Sequence, residues 1–303
     1  MKGKREQMKK IGFIDHYINN FHSNNYVKWI RQGKFKESMD VAYAFEETVS
    51  NNVDITAWCK NNKVEKLLTP EEVVEKSDYL MVLSPNNPER HWDLCEKALS
   101  SGKPVYVDKT FALDVKMAKK LIALAEKNNT PMFSTSALRY SVELESFINN
   151  VKKEKVIPFV STRGPNEWCV YAIHQIEMMV MLIGTGAKRV MRTGAGNAVV
   201  MNIDYGDDKR SAVANCILGT TKIDAQTFGQ DFELSAMFDT GGACGIPRID
   251  VGKCFLRLID DICDFYETRK IKVPHEQTLE VMRIIDAGNR ANEKPYTWVE
   301  VEK

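Results

Sequence analysis

Lys109 is a candidate for proton chemistry because of where it falls along the chain. It ends the segment Gly102-Lys103-Pro104-Val105-Tyr106-Val107-Asp108-Lys109, directly after an apolar run that is typical of a parallel strand. In open parallel sheets, ligands bind in the crevice beyond the carboxyl ends of the strands. Because a partly apolar cleft disfavours the ammonium charge, a lysine there can donate or accept a proton near neutral pH. A solvated surface lysine is the ordinary alternative.

His174 is the second candidate, and it lies in the Met-rich segment Trp168–Gly184, which predicts an apolar helix. Four residues share one face of that helix: Tyr171, His174, Glu177 and Met178. A tyrosine one turn before the histidine and a glutamate one turn after it could orient the imidazole for general acid–base work. A core histidine that is satisfied by those neighbours is the alternative.

The turn after the first strand departs from the usual nucleotide-binding pattern. A dinucleotide fingerprint, G-x-G-x-x-G, has glycines that let backbone N–H groups close on a diphosphate at a helix N-terminus. Here Gly12 is followed by Asp15, His16 and Tyr17, and Asp15 would place a carboxylate near the diphosphate. At the end of the second strand, Phe45 takes the usual place of the ribose-binding acid, with Glu46 and Glu47 next. The fingerprint alone therefore does not indicate a nicotinamide site.

The first half of the chain alternates short apolar runs with helix-like segments, which is the signature of βαβ units and a parallel sheet. The clearest helix is Asp114–Asn128, and Thr69-Pro70 marks the start of another. We predict a Rossmann-like, dinucleotide-binding domain over residues 1–135. Its candidate strands are Lys10–Ile14, Asp40–Phe45, Tyr79–Leu83, Pro104–Val107 and Pro131–Ser134.

After about residue 150 the pattern changes to successive strands with few helices between them, and Gly206-Asp207-Asp208 is a hairpin signal. We predict an α+β domain over residues 136–303, built on a mostly antiparallel open sheet, for substrate binding and oligomerisation. The late elements, Cys254–Thr268, Glu276–Asn292 and the strand Thr297–Val301, could pack back on the first domain. The candidate strands are Val156–Arg163, Arg189–Thr193, Ala198–Tyr205, Ser211–Leu218 and Asp231–Phe238.

Composition argues against several functional classes. The length of 303 residues favours two domains, and 44% hydrophobic with 27% charged residues is ordinary for a folded protein. A net charge of +1 without a basic, aromatic stripe gives no support for nucleic-acid binding. We find neither a signal peptide nor a membrane-spanning run, so we expect no membrane partner and a cytoplasmic location. The seven cysteines include no C-x-x-C pair and predict reduced thiols rather than a metal centre.

Several segments together resemble the family of glucose–fructose oxidoreductase, inositol dehydrogenase and the rhizopine-catabolism oxidoreductase (Gfo/Idh/MocA). The most specific is Ala98-Leu99-x-x-Gly102-Lys103-Pro104-Val105-x-Val107-Asp108-Lys109-Thr110-x-Ala112-Leu113, which is similar to the family's A-L-x-A-G-K-H-V-x-x-E-K-P-x-A. Ser84-Pro85-Asn86 resembles its T-P-N turn, although His91 stands two residues later than the usual histidine. His174 with Leu182-Ile183-Gly184 resembles its H-x-x-D-x-x-x-x-L-x-G, with Glu177 at the acidic position. The closing segment Ile284-Ile285-Asp286-Ala287 also fits, so the match spans nearly the whole chain.

The resemblance implies NAD or NADP as cofactor and oxidation or reduction of a sugar or polyol carbon. It implies that Lys109 contacts both cofactor and substrate, and that His174 helps to move the hydroxyl proton. The chain departs from the family at Asp15–Tyr17, which replace the glycine loop, at Asp108 and Thr110, where Glu and Pro are commoner, and at Val170, where Asp is frequent. The cofactor-binding residues we predict are Gly12, Asp15, His16, Tyr17, Glu46, Ser84, Pro85, Asn86, Asp108 and Lys109. The candidate substrate residues are Arg139, Tyr140, Arg163, Asn166, Trp168, Tyr171 and Glu177.

Three functions are compatible with these features. The first is hydride transfer between a nicotinamide and a ring hydroxyl of a sugar, sugar derivative or cyclitol, with His174 as general base and Lys109 polarising the oxygen. The second is an enzyme that retains NAD and recycles it in each turnover while cleaving or epimerising glycosides. The third is a non-catalytic or regulatory Rossmann-fold protein that has lost dinucleotide binding.

The resemblance also implies self-association, because the family's open sheet usually pairs face to face between subunits. We therefore expect a homodimer or homotetramer. Alternating apolar residues of two strands could supply the paired face, and the alternative is that helices of the same chain cover them. These residues are Val199, Met201, Ile203, Ala212, Ala214 and Cys216.

Overall fold

The computed structural model describes residues 7–49, 54–149, 157–165, 168–217 and 232–302. The chain divides into two compact units. Unit 1 consists of residues 1–135 with 255–274, and unit 2 consists of residues 136–254 with 275–303.

Unit 1 is built on a six-stranded parallel sheet with the order β3-β2-β1-β4-β5-β6. This order reverses direction between β1 and β4, as in doubly wound nucleotide-binding folds. The Rossmann-like sheet predicted from the sequence is therefore confirmed. The strands are β1 (Lys9–Asp15), β2 (Met39–Glu46), β3 (Glu65–Lys66), β4 (Tyr79–Val82), β5 (Val105–Val107) and β6 (Met132–Phe133).

Two helices of unit 1 begin at the residues that the sequence indicates. Thr69 accepts a hydrogen bond from the N–H of Glu72 and forms a capping box with it, while Asp114 accepts one from Met117. Both predicted helix starts are confirmed. The helices are α1 (Phe21–Ile30), α2 (Ile55–Asn62), α3 (Pro70–Lys76), α4 (His91–Leu99) and α5 (Val115–Lys127).

A segment distant in sequence completes the core of unit 1. Helix α8 (Val251–Thr268) contributes its residues from Phe255 onward to this unit. Its Tyr266 ring stacks on Tyr79 with centroids 4.9 Å apart, and its hydroxyl donates a 2.8 Å hydrogen bond to the Leu80 carbonyl. Phe265 meets Phe133 edge-on at 4.9 Å. These aromatic contacts bury β4 and β6 beneath the helix.

Unit 2 is built on a seven-stranded sheet with the order β12-β11-β7-β10-β9-β8-β13. All neighbouring strands pair antiparallel except β7 and β10, which are parallel. The predicted hairpin at Gly206 joins β9 to β10, and the mostly antiparallel sheet is confirmed. The strands are β7 (Phe159–Pro165), β8 (Arg189–Ala195), β9 (Ala198–Asp204), β10 (Ser211–Ile217), β11 (Glu233–Met237), β12 (Ala243–Ile246) and β13 (Trp298–Glu300).

Helices of the same unit cover one face of this sheet. Helix α7 (Trp168–Ile183) packs on β7 and β10, and α9 (His275–Glu293) packs on α7 and β8. The close approach of α9 depends on Gly288, where an added Cβ would lie 2.3 Å from the Trp168 ring. Unit 2 also contains the short helix α6 (Val142–Phe147) and a 3₁₀ helix at Ala137–Tyr140.

The apolar face that we expected to pair between subunits is instead covered within the chain. All six of its residues are buried in the single chain, since α7 and α9 lie over that side of the sheet. Our assignment of that face to a subunit interface was therefore wrong, and the alternative of helix cover is correct. The opposite face carries half-buried polar side chains of alternate residues, which include Ser161, Asn202 and Asn215.

Candidate functional site

Polar side chains gather at the carboxyl edge of the unit 1 sheet. Asp15 ends β1, Glu46 ends β2, Ser84 follows β4, and Asp108 and Lys109 follow β5. Because parallel strands present their carboxyl ends at one edge, these residues lie where open α/β sheets bind ligands.

Lys109 is buried at this edge, with only 7% of its surface exposed. Its ammonium Nζ donates a hydrogen bond of 3.1 Å to the Pro85 carbonyl in the turn after β4. Burial lowers the pKa of Lys109, and the negative charge of Asp108 opposes that change. The Lys109–Thr110 peptide bond is cis. A buried lysine with a depressed pKa is suited to proton donation and to polarising an oxygen.

Asp108 is fully buried and holds several donors at once. Its Oδ1 accepts a 2.9 Å hydrogen bond from the Lys109 backbone N–H, and its Oδ2 is bonded to Nδ1 of His22. Burial works to raise the pKa of Asp108, but the charge and hydrogen bond of His22, together with Lys109, outweigh it, so the pKa is lowered. Asp108 therefore carries a buried negative charge next to Lys109. We predicted no role for His22 from the sequence. The feature that could have indicated one is its position in the first turn of α1.

Asp15 and Asn20 shape the turn that replaces the glycine loop. Asn20 caps α1, because its Oδ1 accepts hydrogen bonds from the N–H groups of His22 at 2.9 Å and Ser23 at 3.1 Å. Its Nδ2 donates to Asp15 at 2.8 Å. Burial raises the pKa of Asp15 to about 8, so its carboxyl is mostly protonated at neutral pH. Asp15 thus does not bring the full negative charge to this turn that its residue type suggests.

The acids at the end of β2 are held by neighbouring groups. Glu46 accepts hydrogen bonds from the backbone N–H groups of Ile18 at 3.0 Å and Ile55 at 3.1 Å. Glu47 lies 2.7 Å from Nδ1 of His16 and forms an ion pair with Arg90. The hydrogen bond from Arg90 lowers the pKa of Glu47. This side of the edge therefore carries carboxylates rather than an uncompensated cation.

The remaining predicted cofactor residues occupy two different environments. Gly12 lies inside β1, where an added Cβ would be 2.2 Å from the Ser77 hydroxyl, so helix packing accounts for this glycine. The Tyr17 carbonyl accepts a hydrogen bond from Asn20. In the turn after β4, Ser84 has a left-handed φ of 75°. Ser84 and Pro85 are buried, whereas Asn86 is exposed.

His91 holds the Ser84–Asn86 turn through its imidazole. Both of its ring nitrogens lie within hydrogen-bonding distance of backbone carbonyls, that of Phe111 at 2.9 Å and that of Ser84 at 3.1 Å. Burial lowers the pKa of this imidazole. His91 therefore fixes the positions of two loops at the carboxyl edge rather than facing a ligand itself.

The residues at this edge fit the nicotinamide end of a dinucleotide better than its diphosphate. The turn Ser84–Asn86 and the buried Lys109 present the groups expected beside a reactive ring. At the usual diphosphate position, two amides of α1 already have Asn20 as their acceptor. A bound diphosphate would need donors other than those of His22 and Ser23.

His174 lies on α7 in unit 2, where Ser136 is its hydrogen-bond partner. The Ser136 hydroxyl is 2.6 Å from Nδ1 of the imidazole, and the rings of Tyr171 and Phe232 meet it edge-on at 5.7 and 5.3 Å. The predicted contact with Tyr171 is present. Ser136 was missed, because a serine three residues after β6 carries no distinctive signal in the sequence.

Glu177, one turn after His174, forms a buried ion pair. Arg139 donates a 2.7 Å hydrogen bond from Nε to the Glu177 carboxylate and another of 2.8 Å from Nη1 to Gln277. The side chains of Arg139 and Glu177 are 10% and 2% exposed. This pair ties the 3₁₀ helix at Ala137–Tyr140 to α7 and α9, close to the Ser136–His174 hydrogen bond.

The other predicted substrate residues do not all join His174. Arg163 of β7 pairs with Glu233 and lines an open groove of about 470 Å³ on the sheet face opposite α7. Trp168 is buried and donates a 2.9 Å hydrogen bond to the Ile285 carbonyl, which makes it a packing residue. Tyr140 is partly exposed at the end of the 3₁₀ helix. Asn166 lies outside the described residues, as does the Val170 side chain.

A metal ion or a membrane-spanning helix would require features that the described ranges lack. Among those residues, no cluster of three or more His, Cys, Asp or Glu side chains could hold a metal ion. In the same ranges, no helix combines the length and the hydropathy that crossing a membrane requires.

Residues 13–135 match the model of an oxidoreductase family with an NAD-binding Rossmann fold, Gfo/Idh/MocA. No curated protein matches the chain by sequence. Among solved structures, scyllo-inositol dehydrogenase from Lactobacillus casei, crystallised with NAD(H) and scyllo-inositol, is 14% identical with a TM-score of 0.80, covering 97% of this chain and 99% of its own.

Two further structures have the same fold along nearly the whole chain. A probable dehydrogenase from Thermotoga maritima is 12% identical with a TM-score of 0.80, covering 96% of this chain and 98% of its own. An oxidoreductase from Agrobacterium radiobacter, in complex with NAD+, L-tartaric acid and magnesium, is 11% identical with a TM-score of 0.77, covering 97% and 99%. The resemblance inferred from the sequence is thus supported by the match of residues 13–135 to the Gfo/Idh/MocA model, and the solved structures share the fold over nearly the whole chain.

Proposed function

We propose that this protein is an NAD(P)-dependent oxidoreductase that acts on a ring hydroxyl of a sugar, sugar derivative or cyclitol. The observation that carries the proposal is Lys109, which is buried at the carboxyl edge of a sheet belonging to an NAD-binding oxidoreductase family. Its depressed pKa and its hydrogen bond to the Ser84–Asn86 turn are what a group polarising a substrate oxygen requires.

His174 is the proposed general base for the hydroxyl proton. Ser136 Oγ already accepts a hydrogen bond from the Leu138 N–H, and a hydroxyl oxygen can accept a second one from Nδ1–H of the imidazole. In that tautomer Nε2 carries the lone pair that takes the hydroxyl proton. The Arg139–Glu177 pair keeps α7 and the 3₁₀ helix in register, so that Ser136 and His174 stay in contact.

The cofactor in this proposal is NAD or NADP, held by the Ser84–Asn86 turn, Asp108, Lys109 and the acids after β2. Hydride transfer is the chemistry that a nicotinamide supplies when bound, while the protein supplies orientation and proton movement. Burial of Lys109 and Asp108 excludes water from the edge where the ring would lie.

Two enzymes with this fold and the two proposed catalytic groups support the proposed substrate class. One is described as a dehydrogenase of scyllo-inositol, and another was crystallised with L-tartaric acid, so both carry polyhydroxylated ligands. A lysine beside an oxygen and a base for its proton suit a secondary alcohol of such a molecule. We expect the protein to act in the cytoplasm as a homodimer or homotetramer, which light scattering of the purified protein would test.

The test measures NAD(H) and NADP(H) binding by calorimetric titration, and then turnover against a panel of inositols and aldoses. We expect nicotinamide binding, and a loss of kcat of about 10²–10⁴-fold in His174→Ala. Lys109→Ala should lose activity similarly, whereas Lys116→Ala, at an exposed lysine on α5, should not. Absence of binding of either nucleotide at millimolar concentration would contradict the proposal.

One observation favours a second function, a binding or regulatory protein without catalysis. The Asn20 cap takes the two α1 amides that usually meet a diphosphate. If neither nucleotide binds, and Lys109→Ala and His174→Ala leave the cellular role intact, this second function is the better account.

A further inference from the structure

His22 lies in the first turn of α1, with its imidazole directed at the carboxyl end of β5. Nδ1 is hydrogen-bonded to Oδ2 of Asp108, and because an ionised carboxylate can only accept, Nδ1 carries the proton. His22 is 7% exposed, and its ring stacks on Tyr26, with centroids 5.1 Å apart and planes at 18°. Phe255 meets its edge at 5.7 Å. The imidazole therefore has one orientation, fixed on two sides.

The backbone of His22 is fixed as well. Its N–H donates to the Asn20 side chain at 2.9 Å, and Asn20 in turn bonds Asp15 at the end of β1. The turn that lacks the glycine loop therefore forms a connected set of hydrogen bonds from β1 through α1 to β5. Asp108 is the end of that set.

Asp108 is the residue through which His22 can act on the site. Its Oδ1 accepts from the Lys109 N–H at 2.9 Å and is 3.4 Å from the Tyr106 hydroxyl, while Oδ2 faces His22. Two of these donors are close in sequence, since Tyr106 lies on β5 and Lys109 lies two residues after it. Of these three bonds, the one from His22 comes from a different element of the fold. It therefore resists movement of the Asp108 carboxylate away from Lys109.

We propose that His22 is a positioning residue that holds the Asp108 carboxylate beside Lys109 and thereby sets the protonation state of that lysine. The role in turnover rests on the proposed function, but the effect on Lys109 itself does not. His22 does not act on substrate, so it acts only through Asp108.

The charges around Asp108 and Lys109 determine whether loss of His22 raises or lowers the pKa of Lys109. Burial would raise the pKa of Asp108, and His22 is the main influence that lowers it instead. The Asp108 charge in turn holds up the pKa of Lys109 against burial. The other titratable groups facing Asp108 are Asp15 on β1, Tyr26 on α1, His91 on α4 and Tyr106 on β5.

Removing His22 should therefore reach Lys109 through Asp108. Without the imidazole, burial prevails at Asp108, and the carboxyl retains its proton to higher pH. Lys109 then loses the negative charge beside it and releases its own proton at lower pH. An opposite charge at this range is worth about 1–3 units of pKa, so a shift of about one unit is expected.

The experiment is an NMR titration of the nucleotide-free protein with ¹³Cε-labelled lysine, in which the Lys109 signal is assigned by its absence in Lys109→Arg. We expect the midpoint of Lys109 in His22→Ala to lie about one unit below wild type. His22→Asn places an uncharged amide donor where Nδ1 was, so it should restore the hydrogen-bond part of the effect and give a midpoint between those of His22→Ala and wild type. Asp108→Asn removes the charge and should lower the midpoint without His22 being changed.

His16→Ala is the matched control, since His16 lies in the same turn but pairs with Glu47 instead of Asp108. Its Lys109 midpoint should equal that of wild type. An unchanged midpoint in folded His22→Ala overturns the proposal, and so does a midpoint in His22→Asn that stays as low as in Asp108→Asn. If His22→Ala does not fold, the comparison of His22→Asn with Asp108→Asn decides. None of these readouts requires turnover, so they remain valid if no oxidoreductase activity is found.

Discussion

The Ser136 hydroxyl oxygen lies 2.6 Å from Nδ1 of His174, and it also accepts the N–H of Leu138 at 3.2 Å. One side chain therefore starts the 3₁₀ helix and orients the proposed base. The two tasks can be separated by experiment, because Ser141 caps α6 in the same way through the N–H of Leu144 at 2.9 Å.

Ser136→Ala should lower kcat/KM about fivefold, since one hydrogen bond to the imidazole is worth about 1 kcal/mol. Ser141→Ala loses a comparable cap and should leave kcat/KM near wild type. Steady-state kinetics on a substrate identified from the inositol and aldose panel would measure both. Equal losses in the two variants would show that Ser136 matters only as a cap.

Arg139→Ala should destabilise unit 2 strongly, because it removes the guanidinium from a glutamate that is 2% exposed. Breaking a buried ion pair at one partner costs about 3–5 kcal/mol. Urea unfolding would measure the loss. Adding Glu177→Gln should recover part of it, because no buried charge is then left behind. Arg163→Ala, at the partly exposed pair with Glu233, should cost no more than about 1 kcal/mol.

NAD should bind more tightly than NADP, because Glu46 ends β2 and Glu47 follows it, where a ribose 2′-phosphate would lie. The hydrogen bond from Arg90 keeps the pKa of Glu47 low, so that carboxylate is charged at neutral pH. Like charges in contact cost several kcal/mol, and a ratio of Kd values of at least about tenfold is expected. Glu47→Gln should reduce the ratio, since it also releases Arg90. A preference for NADP in the wild type would contradict this placement.

Asp15 should make stability fall as pH rises. Its pKa is about 8 in the folded protein, against 3.8 for an unperturbed aspartate, so between these pH values the folded state holds a proton that the unfolded state has lost. The free energy of unfolding therefore decreases with pH from about 4 to about 8 and is insensitive to this group above that. Asp15→Asn, which resembles the protonated carboxyl, should gain stability relative to wild type as pH rises across this window.

Urea midpoints of wild type and Asp15→Asn at several pH values would test this. The difference in unfolding free energy should be smallest at the acidic end of the window and reach the order of a few kcal/mol at the alkaline end. Parallel pH profiles of the two proteins would mean that Asp15 is ionised in the folded state.

Local sequence was sufficient for most of the fold. The caps Thr69 and Asp114, the apolar strands and the Gly206 turn each depend on residues close in sequence, and all are confirmed. Strand β12 was missed, because Ala243–Ile246 is short, glycine-containing and paired only at one edge. The covered sheet face was misassigned, because alternation shows that a face is buried but not whether a helix or a second subunit buries it.

The candidate site was predictable where it depends on strand ends and not where it depends on pairing at long range. Lys109 was identified because β5 ends just before it. His22 was not, because its partner Asp108 is 86 residues away and a lone histidine in a helix carries no signal of that distance. The pairing of Glu177 with Arg139, 38 residues apart, was likewise invisible in the sequence.

Unit 1 is not a continuous stretch of chain, since Phe255–Pro274 returns to it after unit 2 has begun. A gene fragment ending at Thr135 would encode all six parallel strands yet lack Phe265 and Tyr266, leaving Phe133 and Tyr79 without the aromatic partners that cover them. During synthesis, the ribosome must release nearly the entire polypeptide before this nucleotide-binding half can close its core. Truncation at the apparent domain boundary would therefore yield an aggregation-prone piece instead of an isolated folding unit.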